Sequence, residues 1–220
     1  MDKFNKAVAF VGSHIPGFSI KYKNTSWFMK FLGIFVWLFN RRFMTDYVTT
    51  LKWTVYFPSE EFIAKNPDVT TSILLHEFVH LWDRRQKGTA FSLLYMLPQA
   101  GSILLLLVLL AIGWFFPWWG NLILGLLAIL CLLPWPAPWR MRWEIRGYTM
   151  TLAYAYWVRH DNMDDYDKFI KKQFTGWDYY RMWPFDKDIQ AKIDKVEDDI
   201  RNDRLGEPFT LAKKFLKERP

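Results

Sequence analysis

Cysteine occurs once in the 220 residues, at Cys131 inside an apolar run, so no intramolecular disulfide framework can form and a reducing compartment is expected. Histidine is nearly as scarce, with four in the chain. Charged side chains are missing altogether from the stretch 89–139, which only a membrane or a very large core tolerates. There is no zinc-finger, helix-turn-helix or Gly-rich phosphate signature. The 29 Lys and Arg against 22 Asp and Glu, a formal net charge of +7, therefore fit an anionic lipid surface better than nucleic acid. The first residues carry only a short apolar run and no cleavage pattern, so export by the general secretory route is not expected. No internal repeat and no long linker divide the chain.

What is abundant is apolar and aromatic material, 51% and 19% of the residues, which excludes disorder and can bury a real core. Two of the four histidines stand in Ile73-Leu-Leu-His-Glu-Phe-Val-His-Leu-Trp82. On a helix, His76 and His80 lie one turn apart on one face with Glu77 beside them, the H-E-x-x-H arrangement of zinc peptidases. Neutral imidazole suits Zn²⁺, and two ligands one turn apart make a tetrahedral corner that leaves room for a third protein ligand and a water. The ion lowers the pKa of that water toward ~7, and a nearby carboxylate takes its proton; Glu77 is the candidate base. The alternative is an amphipathic core helix with two satisfied histidines. Asp83, three residues after His80 on nearly the same face, can hold the free ring N–H of a ligating histidine or pair with Arg84, Arg85 or Lys87 at the helix end.

Around this helix the pattern predicts a short N-terminal helix over Phe4 to Val11, a strand at Phe18 to Lys23, and an interfacial or core helix over Trp27 to Phe39. Strand material follows in Tyr47–Leu51 and Trp53–Phe57. Ser59 should cap a helix ending near Lys65, and Asp68 should cap the histidine helix, which runs to about Lys87 with Gly88 as its stop. The charge-free stretch reads as a hairpin of Ser102–Phe116 and Leu122–Leu133, the first arm extended from Phe91 through Pro98. It either spans a membrane or re-enters from one side, with the aromatic tip Trp114–Trp119 at an interface. Arg84, Arg85, Lys87, Arg140, Arg142 and Arg146 at its open end place that end, and the histidine helix, on the cytoplasmic face.

The hairpin returns the chain to Trp143-Glu-Ile-Arg-Gly-Tyr148. Glu144 is the expected third ligand, on a helix from Glu144 to about Arg159, unless it simply pairs with Arg140 or Arg142. Tyr148, one turn on, can donate to the oxyanion of a tetrahedral intermediate or be core. Beyond it, His160, Asp161, Asp164 and Asp165 read as a solvated turn or an acidic cluster for a cation, and the aromatic 174–184 segment as a cover over the core or a rest on lipid headgroups. Ile189, Ile193, Val196 and Ile200 predict an amphipathic helix, and Leu211–Leu216 a last short one.

From His76 to about Tyr156 the chain resembles the gluzincin metallopeptidases, especially the membrane-embedded HtpX and CAAX prenyl protease groups. In those, two membrane helices separate H-E-x-x-H from a distal helix with the third ligand. The resemblance rests on His76, Glu77 and His80, with Glu144 matching by its place after the hairpin. The Ala-Asp pair that follows the distal ligand there is absent here, with Gly147 and Tyr148 nearby. The expectation is a mainly α protein with a minor β element: a zincin-like metal helix beside a small strand element, plus a transmembrane or re-entrant hairpin. One composite domain is expected, divided into 1–88, the hairpin 89–139, and 140–220. Zn²⁺ is the expected cofactor, and a peptide or protein substrate and the lipid bilayer the expected partners. The rival is a non-catalytic membrane-inserting protein, part of a larger assembly, with a structural zinc site.

Overall fold

The computed structural model describes residues 2–217 apart from 38, 39, 98, 116, 132, 134 and 178–180. Its centre is the helix that carries the paired histidines, α4 in an order that begins α1 (Asp2–His14), β1 (Ser19–Tyr22), α2 (Trp27–Val36), β2 (Thr49–Leu51), β3 (Thr54–Phe57), α3 (Glu60–Lys65) and α4 (Pro67–Lys87). Pro67 suits the first helical position because its missing N–H has no partner to lose there. The residue preceding it, Asn66, is the cap, so Asp68 sits inside the first turn rather than before it. At Gly88 the backbone turns to φ 60°, which a glycine takes without strain.

Leu74, Phe78 and Leu81 on one side of α4 join Phe4, Ala7 and Val11 of α1, Val55 and Phe57 of β3 and Ile63 of α3 in one core. On another side, Leu75 and Val79 join a second core built mainly from the C-terminal helices. Each of these buried Val, Leu, Ile and Phe side chains contributes roughly 1.5–3 kcal/mol of transfer free energy. A helix apolar on two sides is buried between layers, and the third face, carrying His76, His80 and Asp83, is left for polar work.

The three strands form one sheet in the order β1-β3-β2. β1 runs parallel to β3, and β2 pairs antiparallel to it with Thr50 opposite Val55. β2 is thus an edge strand. Thr50 reaches across to α4, its hydroxyl donating to Oε2 of Glu77 at 2.6 Å.

After Gly88 come α5 (Thr89–Met96), α6 (Gln99–Gly113) and α7 (Trp118–Cys131), the last two packed side by side. The expected membrane-spanning hairpin is overturned here: among the described residues no helix is long and apolar enough to cross a membrane. α6 has 15 residues and α7 has 14, about 22 and 21 Å at 1.5 Å per residue, against a hydrocarbon core of ~30 Å. Nor does Phe91 extend the first arm. Leu97, which precedes Pro98, is extended (φ −77°, ψ 144°) and ends α5 there, as the residue before a proline must avoid the helical region. Pro98 itself lies outside the described residues, as do Phe116 of the expected tip, Leu132 of the second arm and Phe39 of the Trp27–Phe39 helix. Trp114 and Phe115 of the tip are exposed.

The chain returns through α8 (Pro138–Tyr154), which starts six residues earlier than expected and ends in a π-helical turn at Ala155–Arg159. Then follow α9 (Asp164–Thr175), α10 (Asp186–Arg201) and α11 (Phe209–Lys217). The Asp164–Asp165 acids form the first turn of α9, where the helix dipole favours them. In the aromatic segment, 178–180 lie outside the described residues, whereas Phe174 and Met182 are fully buried. α10 buries Ile189, Ile193 and Ile200, as its spacing predicts. Asp68 ties the layers together by accepting from Lys3 (2.5 Å), Tyr154 (2.6 Å) and Arg159 (2.6 Å). Burial pushes its carboxyl up, but these three donors hold it down at about 2.

Candidate metal centre

α8 crosses α4 so that Glu144 faces the two histidines. The Nε2 atoms of His76 and His80 are 3.1 Å apart, and Oε2 of Glu144 is 3.7 Å from the first and 3.8 Å from the second. Ligands of a tetrahedral ion at 2.0–2.2 Å lie roughly 3.3–3.6 Å from one another, so the three atoms already stand near the corners of such a shell. Together they form a group able to hold a metal ion. All three side chains are largely buried. Burial pushes His80 down, but the facing Glu144 carboxylate, with Glu77 and Asp83 beyond, raises it above its ordinary value. Burial pushes Glu144 up, and the two imidazoles hold it well below the usual carboxylate range. The cluster therefore favours positive charge at its centre, which a cation supplies as readily as a proton.

Around the three ligand atoms, one expected contact is not made and one unexpected contact is. Asp83 touches neither histidine; its carboxylate is held by Arg146 in a two-pronged pair at 2.8 and 2.9 Å. The contact on Nδ1 of His76 is instead Thr151, at 3.2 Å, while Nδ1 of His80 is buried with no hydrogen-bond partner among the described residues. Tyr148 lies beside the site, its ring edge-on to His76 with centroids 4.9 Å apart. Glu144 pairs with neither Arg140 nor Arg142 among the contacts described. Its Oε1 accepts the hydroxyl of Tyr95, which arrives from α5. Burial and the Glu144 charge push the Tyr95 hydroxyl well above its ordinary pKa, so its proton stays in that hydrogen bond.

Gly147 is the point of closest approach. A Cβ there would lie 2.5 Å from Nε2 and 2.6 Å from Cε1 of His76. Glu144, Gly147, Tyr148 and Thr151 are spaced i, i+3, i+4 and i+7, one face of α8, and this face meets the histidine face of α4. That spacing was the signal by which Thr151 and Gly147 could have been found from Glu144. Tyr95 carried no such signal, because it stands in a stretch whose only visible property is apolarity.

Two cavities open from the centre. One of about 460 Å³ passes Tyr95, Phe91, Met96, Leu51 and Trp177; the other, of about 720 Å³, passes Tyr148, Thr151, Phe169 and Lys172. His76 and Glu77 line both, as do Tyr47 and Val48 of the loop that leads into β2. That loop is anchored from below by Lys23, which is fully buried, donates to the Phe43 carbonyl at 2.7 Å and lies over the Phe43 ring. Burial pulls the Lys23 amine down to about 7, partly offset by the charge of Glu77.

The chain matches no protein-family model, no curated protein and no solved structure.

Proposed function

We propose that this protein is a zinc-dependent endopeptidase of the gluzincin kind, with His76, His80 and Glu144 as ligands and Glu77 as general base. The observation that carries the reading is the convergence of three ligand atoms from two helices, 3.1–3.8 Å apart, beside a glutamate braced by Thr50. Imidazole and carboxylate donors suit zinc. A bound zinc ion supplies Lewis acidity and lowers the pKa of water beside it toward ~7. Glu77 would take a proton from a water attacking the peptide carbonyl and pass it to the departing amine. The hydroxyl of Thr50, donating to Oε2, keeps the Glu77 carboxylate aimed. Tyr148, in the larger cavity, is the candidate donor to the developing oxyanion. β2, paired on one side with β3 and lining the smaller cavity, offers its other edge to an extended peptide by strand addition.

The rival reading, a structural staple, calls for four protein ligands. Among the described residues the group has three, and Asp83, another carboxylate on the histidine helix, is taken by Arg146. We also propose that the protein works against a lipid surface without crossing it. Leu104, Leu107, Ile112, Leu122, Leu126 and Ile129 of the hairpin are all exposed, which water alone rarely tolerates over a contiguous patch. Arginines stand over exposed tryptophans at Trp37–Arg41 and Trp139–Arg142, pairs suited to an anionic interface.

The peptidase reading is tested by elemental analysis and a casein cleavage assay on purified protein. Glu77→Gln should keep its metal and lose about 10²–10⁴-fold in turnover. His76→Ala should lose the metal itself. Undiminished cleavage by Glu77→Gln would overturn the assignment.

A further inference from the structure

We propose that Tyr95 is a positioning residue that keeps Glu144 a one-oxygen ligand; the proposal rests on the metallopeptidase reading above. Glu144 presents two carboxylate oxygens to different partners. Oε2 faces both histidines, at 3.7 and 3.8 Å, whereas Oε1 accepts the Tyr95 hydroxyl. A carboxylate with both oxygens available can chelate an ion through both, and that consumes a coordination position. A hydrolytic site needs that position for water or for the substrate carbonyl. The Tyr95 hydrogen bond withdraws one oxygen and leaves the position open.

The geometry around Tyr95 is built to hold that hydroxyl still. Its ring stacks on Phe91 at 5.7 Å and on Trp143 at 6.3 Å, with the Arg140 guanidinium 5.3 Å from its centroid. His80 meets the ring at 6.2 Å, nearly perpendicular. Trp143 is the neighbour of Glu144 in α8, so the aromatic stack and the ligand share one helix. Packing alone does not account for the hydroxyl: a phenylalanine would fill the same stack, and Phe91 already does so one turn earlier in α5. Loss of the hydroxyl leaves the ring in place and frees only Oε1.

The test is Tyr95→Phe in the full chain, loaded with zinc or with cobalt(II) as a spectroscopic substitute. X-ray absorption should show about one additional oxygen at 2.0–2.2 Å in the variant. The visible bands of the cobalt protein should weaken as four-coordination gives way to five. Zinc affinity, from chelator competition, should hold or tighten, while kcat falls about 10–100-fold with KM little changed. An unchanged coordination number, or zinc lost in parallel with activity, would overturn the proposal by making Tyr95 a packing residue only. Tyr95→Leu, which removes the stack as well, should lower the thermal stability of the metal-free protein where Tyr95→Phe does not. Equal destabilisation by both substitutions would likewise count against it. A wild-type protein that takes up no metal sinks the peptidase reading itself, whereas a metallated, active wild type with an indistinguishable Tyr95→Phe variant sinks only the role of Tyr95.

Discussion

Replacing Gly147 by alanine sets two physical expectations against each other. Gly147 lies in the middle of α8, where alanine is favoured over glycine by about 1 kcal/mol, so a helix considered alone would be stabilised. The added methyl, however, would stand 2.5, 2.6 and 2.9 Å from three atoms of the His76 ring, about an ångström inside ordinary contact. Either α8 withdraws from α4 or the imidazole turns away. Withdrawal is resisted by the Asp83–Arg146 pair and by the packing of Met150, Leu152 and Ala153, so the imidazole yields. Metal ligation tolerates about 0.2 Å, so a displacement of this size removes one ligand. Zinc affinity should fall at least 100-fold, about 2.7 kcal/mol. At zinc 100-fold above its Kd the wild-type protein gains about 2.7 kcal/mol, or roughly 5–10 °C in Tm for a chain of this length. The variant should show a metal-free Tm near or below wild type, the helical gain of about 1 kcal/mol being offset by the ~1–3 kcal/mol of the overpacked contact, and a rise of at most about 1–2 °C on adding zinc. Differential scanning fluorimetry with and without zinc, beside chelator competition, reads both. If Gly147→Ala binds zinc as tightly as wild type, the contact between α8 and His76 is not the one described and the geometry of the centre fails with it.

Three further outcomes follow from the same structure. Arg146→Met leaves the buried Asp83 carboxylate without its partner and should cost about 3 kcal/mol in urea unfolding, the low end for a broken buried pair because the guanidinium is partly solvated. Glu197, with Oε1 lacking a partner among the described residues, is pushed up to about 7 by burial and by Asp167, against the pull of Arg201. A carboxyl raised in the folded state adds stability that is complete below its unfolded pKa and lost as pH rises through about 7. Glu197→Gln should therefore melt with wild type at pH 4 and above it at pH 8, by roughly 1 kcal/mol after solvent screening; a difference that did not change with pH would contradict this. Leu107→Asp with Leu126→Asp places negative charge on the exposed faces of α6 and α7, which an anionic surface repels, and should abolish co-flotation with anionic vesicles while leaving casein cleavage intact; wild-type protein that never floats would refute the lipid surface.

Features that depend on residues close in the chain were legible before any packing was known. One-turn spacing put His76 and His80 on one face whatever surrounded them, Ser59 capped α3 as a hydroxyl before a first turn does, and the isoleucines of α10 faced inward at helical period. Alternation in Tyr47–Leu51 and Trp53–Phe57 marked β2 and β3 as strands, because side chains on a strand must alternate. Hydropathy did not determine the hairpin's reach. A charge-free run reads the same whether its helices are long or short, and extended backbone at Leu97 together with the end of α6 at Gly113 made them too short to span. How α8 sits on α4 came from long-range packing. That register set Glu144 against both imidazoles, gave Asp83 to Arg146 and Thr151 to His76, and required glycine at 147. It also brought Tyr95 onto the ligand from a stretch with no polar pattern to announce it. The physical reason is range: periodicity and capping are set within a turn or two of chain, whereas the meeting of residues some seventy positions apart is set by which surfaces pack without voids or clashes, and no local pattern encodes that.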